Sequence, residues 1–434
     1  MSKRHYKRGA NMLRYIDINY KPTNKDVVCE YFVEPNKITL EQACEHIAGE
    51  SSIGTWTTIS TMNEKIAKKL KPHVYSINHA TGEVKIAYPN ELFEAGNMAE
   101  ILSSIAGNIF GMKVINNLRL QDITFPKKIV DSFKGPEFGI PGIRKLLKVK
   151  DRPLVGTIVK PKVGLNEKQH AKVAYDSWIG GLDVVKDDEN LSSMIFNKFE
   201  KRIEETLAKR DKAEERTGDK KIYMPNITAE TNEMLRRAKH VKSLGGEYIM
   251  VDILTVGWSA LQTIRDANLG MVIHAHRAMH GAITRNPKHG ISMLTIAKIA
   301  RLIGVDQLHI GTAVGKMEGS PIETEDICDE IEDNMIKTKS KEHMLEQKWF
   351  NKKPVFAVAS GGLHPSLIPP LIKILGKNII MQFGGGCHGH PDGTVAGARA
   401  IRQALDAALK KQNLQKYAKT HPDLDKALQK WGTS

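Results

Sequence analysis

Eight short apolar runs recur from about residue 154 onward, and they constrain the fold more than any other feature of the chain. Each run ends in charged, polar or glycine-rich residues and is followed by residues with helical spacing. Because eight strand–helix units in about 250 residues suit a parallel (β/α)8 barrel, the pattern predicts an α/β fold of this type. An open doubly wound sheet is the alternative, but no dinucleotide-binding glycine fingerprint follows the first run. The runs are Leu154–Val159, Leu182–Val185, Ile222–Met224, Tyr248–Val251, Met271–Ile273, Leu308–Ile310, Val355–Val358 and Ile379–Phe383.

Residues 1–140 lack this alternation and are predicted to form a smaller N-terminal α+β domain. Glycines and prolines between residues 135 and 142 mark the junction. The barrel is predicted over residues 141–434, with a basic helical extension at its end. The candidate strands of the first domain are Tyr15–Tyr20, Val27–Val33, Thr55–Ser60 and Lys85–Tyr88, and its candidate helices lie near Thr39–Ala48 and Ala99–Ala106.

The composition is that of a folded, water-soluble protein: 41% of the 434 residues are hydrophobic and 26% are charged. No apolar stretch reaches the ~18 residues of a membrane helix. The four scattered cysteines suit the reduced thiols of a cytoplasmic protein. The net charge of +15 would suit an anionic small substrate or a nucleic-acid surface. The basic residues are spread along the chain without interleaved aromatic residues, which argues against nucleic acid.

The end of the second run carries the most specific chemistry. In barrels the reacting groups lie at the carboxyl ends of the strands. Here Lys186 is followed by Asp188 and Glu189, whose carboxylates are ligands that Mg²⁺ prefers. The lysine is either a counter-ion or an amine that takes up CO₂ and becomes a carbamate with a third anionic oxygen. This segment alone leaves both interpretations open.

Cationic residues follow two other runs. Lys160 and Lys162 flank a proline and are candidates for anion contacts or proton transfer. His274 and His276 share a strand face, so they are either buried, hydrogen-bonded histidines or metal ligands of a hydrolase. Arg277 beside them favours an anion site, because guanidinium binds phosphate through two hydrogen bonds.

The last three runs predict phosphate contacts and a mobile loop. Lys316 lies in a glycine-bracketed loop that can close over a substrate. The segments Ser360–Gly362 and Gln382–Gly386 bring glycines to the ends of the seventh and eighth runs, where barrels commonly bind phosphate. With Arg277 and His309 on the other side, the predicted pocket suits a ligand with phosphate at both ends.

In these segments the chain closely resembles the large chain of ribulose-1,5-bisphosphate carboxylase/oxygenase, RuBisCO. The departures Ile158, Ile310 and Cys387 replace residues that are often polar in the family, and they remove no reacting group. The amino-terminal region and the pair Val184–Val185 are most similar to the archaeal type, form III. The matching segments are Glu50–Thr57, Gly107–Asn108, Lys160–Lys162, Gly181–Asn190, His274–His280, His309–Glu318, Ser360–His364 and Gln382–Pro391.

The resemblance implies that activator CO₂ carbamylates Lys186, which then holds one Mg²⁺ with Asp188 and Glu189. It further implies that ribulose-1,5-bisphosphate loses its C3 proton, takes up CO₂ at C2 and is cleaved to two molecules of 3-phosphoglycerate. O₂ can intercept the same enediolate, so an oxygenase (monooxygenase) side reaction is expected. The residues that the resemblance implies as catalytic are Lys160, Lys186, His276 and Lys316.

The same resemblance implies a homodimer or a higher oligomer of dimers, because the N-terminal domain of one subunit caps the barrel of another. No small subunit is expected, and the archaeal type is tied to salvage of the ribose of AMP and other nucleotides. The residues implied in substrate binding are Glu50, Thr55, Trp56, Asn108, Lys162, Arg277, His309, Ser360, Gly361, Gly362, Gln382, Gly384 and Gly385.

Two alternative functions are open. A RuBisCO-like enolase or isomerase of sulfur salvage shares the barrel, but such relatives typically lose several groups that are present here, among them Lys160, Asn108 and Lys316. A non-catalytic basic protein would bind polynucleotide with a strong dependence on salt. That alternative does not account for reactive side chains at the ends of so many runs.

Overall fold

The computed structural model of the protein describes residues 13–55, 57, 59–314 and 320–432. Its strands are β1 (Asp26–Pro35), β2 (His73–Asn78), β3 (Glu83–Pro89), β4 (Ile115–Thr124), β5 (Leu154–Ile158), β6 (Val184–Lys186), β7 (Ile222–Met224), β8 (Tyr248–Asp252), β9 (Val272–His276), β10 (Gly290–Ile291), β11 (Gln307–His309), β12 (Met335–Ile336), β13 (Gln347–Lys348), β14 (Phe356–Ser360) and β15 (Ile379–Phe383).

Helices lie between most of these strands. The α-helices are α1 (Leu40–Glu50), α2 (Glu64–Leu70), α3 (Met98–Ile105), α4 (Lys127–Ser132), α5 (Gly139–Leu147), α6 (Glu167–Ile179), α7 (Phe199–Thr217), α8 (Thr231–Ser243), α9 (Ile253–Val256), α10 (Trp258–Asp266), α11 (His280–Thr284), α12 (Met293–Ile303), α13 (Pro321–Glu332), α14 (Ile368–Leu375), α15 (Gly385–His388), α16 (Gly393–Leu409), α17 (Leu414–Ala418) and α18 (Pro422–Trp431). Short 3₁₀ helices span Asn90–Leu92, Asn108–Gly111, Ser340–Glu342 and Pro365–Leu367.

Eight strands of the described chain form a parallel barrel, which confirms the predicted fold. They are hydrogen-bonded in the order β7-β6-β5-β15-β14-β11-β9-β8. The two outer strands of this order meet through a parallel bridge between Asn226 and Met250. The amide of Met250 also donates to the carbonyl of Pro225 at 2.8 Å. This pairing closes the sheet on itself.

Each predicted run overlaps one barrel strand, but the ends differ by a few residues, as strand ends commonly do. The second run was predicted to end at Val185, whereas β6 continues to Lys186. The fifth was predicted to end at Ile273, whereas β9 continues to His276. Two candidate site residues are therefore the last residues of strands, where backbone pairing fixes their position.

Apolar side chains fill the barrel at the amino-terminal ends of its strands. Helix α5 contributes Ile140, Ile143 and Leu147, which are at most 5% exposed. They pack in one cluster with Leu154 and Tyr248, the first residues of β5 and β8. Burying one such side chain stabilises the fold by about 1.5–3 kcal/mol. The polar side chains of the barrel collect at the opposite ends of the strands.

The N-terminal part contains a mixed α+β structure, as predicted. Its sheet has the order β10-β4-β1-β3-β2, and its pairs are antiparallel except for β10 with β4. Helix α1 begins at a capping box, in which Thr39 accepts from the amide of Gln42 and the Gln42 side chain accepts from Thr39. Such a cap contributes about 1 kcal/mol.

Two predicted strands of this domain are wrong. In Tyr15–Tyr20, only Ile16 pairs, through a single bridge to Val74. The described residues of Thr55–Ser60 form no strand. The chain turns back after α1, where the amide of Gly54 donates to the carbonyl of Gly49 at 3.0 Å. Strand propensity is weak evidence for a strand, because the tertiary structure decides which segments pair.

The chain divides into two compact units. Unit 1 contains the described residues up to Phe133 together with His280–Ile296 and Met335–Phe350. Unit 2 contains Lys134–Met279, Ala297–Asn334 and the described residues from Asn351 onward. The sequence pattern did not predict the two later segments of unit 1, which carry β10 and the β12–β13 pair.

Candidate active site

The candidate residues of unit 2 gather at the carboxyl ends of the barrel strands. Lys186, His276, His309 and Ser360 are the last residues of β6, β9, β11 and β14. Lys160 follows the end of β5 by two residues. One rim of the barrel therefore carries residues from widely separated parts of the sequence.

Lys186 is almost completely buried at this rim, with a side chain only 1% exposed. Its Nζ lies 2.9 Å from the carbonyl oxygen of Asp187, 3.6 Å from Sδ of Met250 and 3.5 Å from Oε2 of Glu189. Burial lowers the pKa of the Lys186 amine, although the charges of Glu189 and Asp188 oppose this. A neutral amine is the form that reacts with CO₂, so this environment favours carbamate formation.

The two neighbouring carboxylates are surrounded by lysines. Nζ of Lys160 donates to Oδ2 of Asp188 at 2.6 Å, and Nζ of Lys162 lies 3.8 Å from Oε1 of Glu189. Burial alone would raise the pKa of Asp188, but hydrogen bonds from Lys160 and Asn190 outweigh it and hold the pKa below its usual range. Asp188 is therefore ionised at neutral pH and attracts cations.

Asp187, between the predicted metal ligands, holds the end of β6 through hydrogen bonds to its carboxylate. It accepts hydrogen bonds from Tyr223 Oη at 2.6 Å, Arg202 Nε at 3.1 Å and the Asn226 amide at 3.0 Å. Nε2 of His170 lies 3.0 Å from the same carboxylate. Burial raises the pKa of Asp187, but Arg202 and these hydrogen bonds overcome it and hold the pKa well below the usual range. Sequence reasoning missed this network, because its members come from separate strands and helices.

His276 lies next to the carboxylate cluster. Its Nε2 is 3.7 Å from Oε2 of Glu189, and its Nδ1 is 3.2 Å from Oδ1 of Asp252, the last residue of β8. The amide of Ala278 also approaches Nδ1 at 3.2 Å. The position suits proton transfer beside the carboxylates. The sequence analysis gave Asp252 no role, although an acidic residue directly after a predicted barrel strand could have indicated a site residue.

The predicted phosphate ligands lie farther round the rim. The rings of His276 and His309 are 4.6 Å apart. Burial, followed by the charges of neighbouring histidines, holds the pKa of His309 well below its ordinary value. Burial also lowers the pKa of Arg277 to about 10, so the guanidinium stays protonated at neutral pH. A Cβ at Gly311 would lie 3.2 Å from Nη2 of Arg277, so glycine leaves room for that side chain.

Glycines shape the rim after β14 and β15. Gly361 and Gly362 follow Ser360 with φ angles of 125° and 68°, a conformation that favours glycine. A Cβ at Gly384 would lie 3.3 Å from Cε of Lys160, which brings this loop beside the candidate catalytic lysine. Gln382 differs from the other candidates, because it is fully buried and its amide nitrogen lies 3.9 Å from Sδ of Met224.

The remaining candidates lie in unit 1 or outside the described ranges. Nδ2 of Asn108 lies 3.4 Å from Oε1 of Glu50, so unit 1 brings these two residues together. Thr55 follows the turn after α1. Trp56 and Lys316, including the predicted closing loop around Lys316, lie outside the described residues.

The donor set around Lys186 fits a hard divalent cation. Among the described residues, no group of three or more histidine, cysteine or acidic side chains could hold a metal ion. The predicted set contains two carboxylates and a lysine, so its third anionic donor requires the carbamate. The amino groups of Lys160 and Lys186 lie next to the carboxylates of Asp188 and Glu189, so the site favours positive charge.

Comparison with known proteins identifies the family. Residues 139–431 match the family model described as "Ribulose bisphosphate carboxylase large chain, catalytic domain". Residues 14–129 match the model of the N-terminal domain of the same chain. The chain belongs to this family. Its members carry a carboxylase name, the class of enzyme that the sequence predicts.

Curated relatives agree over nearly the whole chain. "Ribulose bisphosphate carboxylase" of Methanosarcina mazei is 55% identical over 421 residues, which cover 96% of this chain and 98% of the relative. The protein of the same name from Methanocaldococcus jannaschii is 52% identical over 424 residues, which cover 96% and 99%. These relatives are archaeal, in agreement with the predicted archaeal type.

Solved structures of the family have the same fold. A dimeric archaeal Rubisco from Hyperthermus butylicus has a TM-score of 0.92 at 45% identity, covering 97% of this chain and 99% of that one. An octameric Rubisco from Pyrococcus horikoshii, in complex with sulfate ion, has a TM-score of 0.89 at 47% identity, with 96% of each chain covered. None of the helices in the described ranges has both the length and the apolarity to cross a membrane.

Proposed function

We propose that this protein is a ribulose-1,5-bisphosphate carboxylase, which adds CO₂ to C2 of the sugar bisphosphate and yields two molecules of 3-phosphoglycerate. The observation that carries the proposal is the buried amine of Lys186, with its lowered pKa, at the end of a barrel strand next to Asp188 and Glu189. A lysine that served only as a counter-ion would have to stay protonated, which a raised pKa favours. The lowered pKa supports the carbamate interpretation instead.

Lys186, Asp188 and Glu189 would hold one Mg²⁺, with Lys186 as its carbamate. When bound, the activator CO₂ and the metal supply an anionic base and a Lewis acid beside the C2 and C3 oxygens of the substrate. Asp187 and its partners keep the three ligands in place, as hydrogen bonds to the residues behind the ligands do in metal sites.

The other residues of the rim bind the substrate and move protons. Lys160, held by Asp188 at 2.6 Å, donates a proton to C2 of the departing fragment. His276 assists proton movement beside Glu189, and Lys316 stabilises the new carboxylate. The two phosphate groups are bound at separated parts of the rim. Arg277, His309 and Ser360 bind one phosphate. Gly384, Gly385 and Lys316, with Thr55 and Trp56 of the N-terminal domain, surround the other end of the substrate, and Lys162 lies near the metal ligands.

The active particle is proposed to be a homodimer or an oligomer of dimers without small subunits. Glu50 and Asn108, which unit 1 brings together, would complete the active site of the partner subunit. An oxygenase reaction with O₂ accompanies carboxylation, and the substrate is supplied by salvage of nucleotide ribose, including that of AMP. The similarity to dimeric and octameric archaeal Rubisco structures supports the assembly.

The test is carboxylation of ribulose bisphosphate with labelled bicarbonate, after incubation with Mg²⁺ and CO₂. We expect Lys186→Met to abolish turnover and CO₂-dependent retention of Mg²⁺. Lys221→Met is the matched control, because Lys221 is also buried with a lowered pKa but precedes β7 at the opposite end of the barrel. Normal turnover in the Lys186 variant would refute the carbamate assignment. Formation of an enol or an isomer without new carbon–carbon bonds would favour the sulfur-salvage alternative.

A further inference from the structure

His274 is a buried residue without a role in the proposed chemistry, yet it contacts a proposed phosphate ligand. It lies in β9 directly opposite Gln307 of β11 in the parallel register. Alternate residues of a strand share a face, so His274 lies on the face of His276, and Gln307 lies on the face of His309. The side chains of His274 and Gln307 are both 0% exposed.

Both ring nitrogens of His274 make hydrogen bonds. Nδ1 lies 2.7 Å from Oε1 of Gln307, and Nε2 lies 2.9 Å from Nε2 of His309. The rings of His274 and His309 are nearly perpendicular, at 85° with 4.9 Å between their centroids. Three side chains therefore form a continuous line of hydrogen bonds from the barrel interior to the rim.

The chemistry of these groups sets the direction of the line. Burial lowers the pKa of His274 to about 3, with a smaller effect from the charge of Lys186, so this ring is neutral at physiological pH. A neutral imidazole carries one N–H, and an amide oxygen only accepts. Nδ1 of His274 must therefore donate to Gln307, and its Nε2 must accept. The hydrogen between the two histidines then belongs to Nε2 of His309.

This tautomer leaves Nδ1 of His309 as the nitrogen that can meet a ligand. Within the described residues, the hydrogen bond of His309 to His274 occupies its Nε2. His309 ends β11 at the rim, beside His276 and close to the positive charge of Arg277. A hydrogen bond between Nδ1 and a phosphate oxygen needs a hydrogen on one of the two atoms. Either a protonated phosphate donates to Nδ1, or His309 takes up a proton at Nδ1 and donates to the phosphate.

We propose that His274, oriented by Gln307, is a positioning residue that holds His309 as its Nε2–H tautomer and presents Nδ1 to a phosphate group. The inference rests on the proposed function, which assigns His309 to substrate phosphate. His274 touches neither the substrate nor the reacting atoms, so it acts on binding through His309.

The kinetic test compares two substitutions of His274. His274→Leu removes the acceptor, and we expect KM for ribulose bisphosphate to rise about tenfold while kcat changes much less, as for the loss of one hydrogen bond to a charged group. His274→Gln keeps an acceptor oxygen and should restore most of the affinity. The control is His240→Leu, which removes a half-buried histidine on α8. Equal KM values for His274→Leu and this control would overturn the proposal, as would a loss of kcat with unchanged KM.

A spectroscopic test separates this inference from the proposed function. Solid-state ¹⁵N NMR of histidine-labelled protein, with His309→Gln to assign the signals, reports which nitrogen of His309 carries the hydrogen. We expect Nε2–H without ligand and a shift of the Nδ1 signal on addition of inorganic phosphate. An Nδ1–H tautomer in the free protein, as a reversed Gln307 amide would produce, overturns the inference even if the enzyme carboxylates. An absent phosphate shift does the same. Loss of carboxylation with the expected spectra would overturn the proposed function alone.

Discussion

Asp183 shows how one buried charge can join distant parts of unit 2. Its carboxylate accepts two hydrogen bonds from Arg152, at 2.7 and 2.8 Å, and one from Nη2 of Arg402 at 2.8 Å. The amide of Val155 in β5 donates to it at 3.0 Å. Burial alone would raise the pKa of Asp183, but Arg402 and Arg152 outweigh it and lower the pKa to about 2. The acid thus ties β5, the start of β6 and α16 together.

This pKa makes stability depend on pH in acid. A carboxyl group with a lowered pKa stabilises the folded state above its unfolded pKa of 3.8, and this contribution is lost as pH falls towards about 2. We expect the free energy of unfolding of the wild type to exceed that of Asp183→Asn at pH 6. About 2 kcal/mol of the difference should disappear between pH 4 and pH 2.

Denaturant unfolding across this pH range would measure the effect. Asp211→Asn is the control, because Asp211 is 59% exposed and forms a surface ion pair with Arg210. Such pairs contribute about 0–1 kcal/mol. A difference between wild type and Asp183→Asn that stayed constant from pH 6 to pH 2 would contradict the prediction.

For single residues, the sequence predicted which side chains lie at the ends of strands, but it did not predict the contacts that these side chains make across neighbouring strands. Lys186, Asp188 and Glu189 were predictable, because they lie in one segment whose alternation sets their direction. The contact of His274 with Gln307 depends on the register of β9 with β11, which no single-strand pattern contains. The sequence left His274 as either a metal ligand or a buried, hydrogen-bonded residue, and the structure supports the second.

At the scale of elements, the close approach of β5 and β6 depends on a glycine. Gly156 lies in the middle of β5, opposite Val184 in β6. A Cβ at Gly156 would lie 2.2 Å from Cγ2 of Val184 and 2.6 Å from its carbonyl oxygen. The second atom belongs to the backbone, so a side-chain rotation cannot relieve the contact. Lys186 ends the strand that would have to move.

We therefore expect Gly156→Ala to separate β5 from β6. Overpacking of this kind costs about 1–3 kcal/mol, which thermal unfolding would detect. Turnover should also fall, because Lys186 is the last residue of β6 and Lys160 follows β5 by two residues. Gly111→Ala is the matched control, since a Cβ at Gly111 meets no atom within 4 Å. Unfolding curves that coincide for both variants and the wild type would show that β5 and β6 tolerate the extra carbon.

The sequence predicted the barrel strands better than those of unit 1 for a physical reason. Barrel strands are buried on both faces and read as continuous apolar runs, whereas β4 contains several polar residues and no continuous apolar run. Strand β2 was missed as well, since it is only half-buried. The segment Thr55–Ser60 has residues of high strand propensity, but its described residues form no strand, since the availability of a pairing partner is a tertiary property.

At the scale of the whole molecule, unit 1 is assembled from three separated stretches of chain. Strand β10 pairs with β4 through Gly290 and Ile291. The amide of Leu345 donates to Oδ2 of the buried Asp122 at 2.7 Å. Leu345 also packs with Val28 and Ala87 in an apolar cluster. The first stretch alone therefore lacks the Leu345 amide that donates to Asp122 and the Leu345 side chain that packs on Val28 and Ala87.

We expect a fragment of residues 13–133 to be much less stable than unit 1 of the full chain. It would remove the hydrogen bond from the Leu345 amide to Asp122, and a hydrogen bond to a charged group contributes about 1.5–3 kcal/mol. Amide hydrogen exchange of β1, β3 and β4 in the fragment and in the full chain would measure the difference. Equal protection in the two would show that the later segments are dispensable.

Because unit 1 contains three separate segments, it cannot be completed until late in the synthesis of the chain. The ribosome synthesises β1 to β4 first, but the segment that covers the outer edge of β4 emerges only at residue 290, and the Leu345 amide that donates to Asp122 emerges later still. Throughout that interval the nascent chain exposes a strand edge of the kind that pairs with neighbouring polypeptides. Synthesis speed and local polysome crowding thus become determinants of yield, independently of how stable the finished enzyme is.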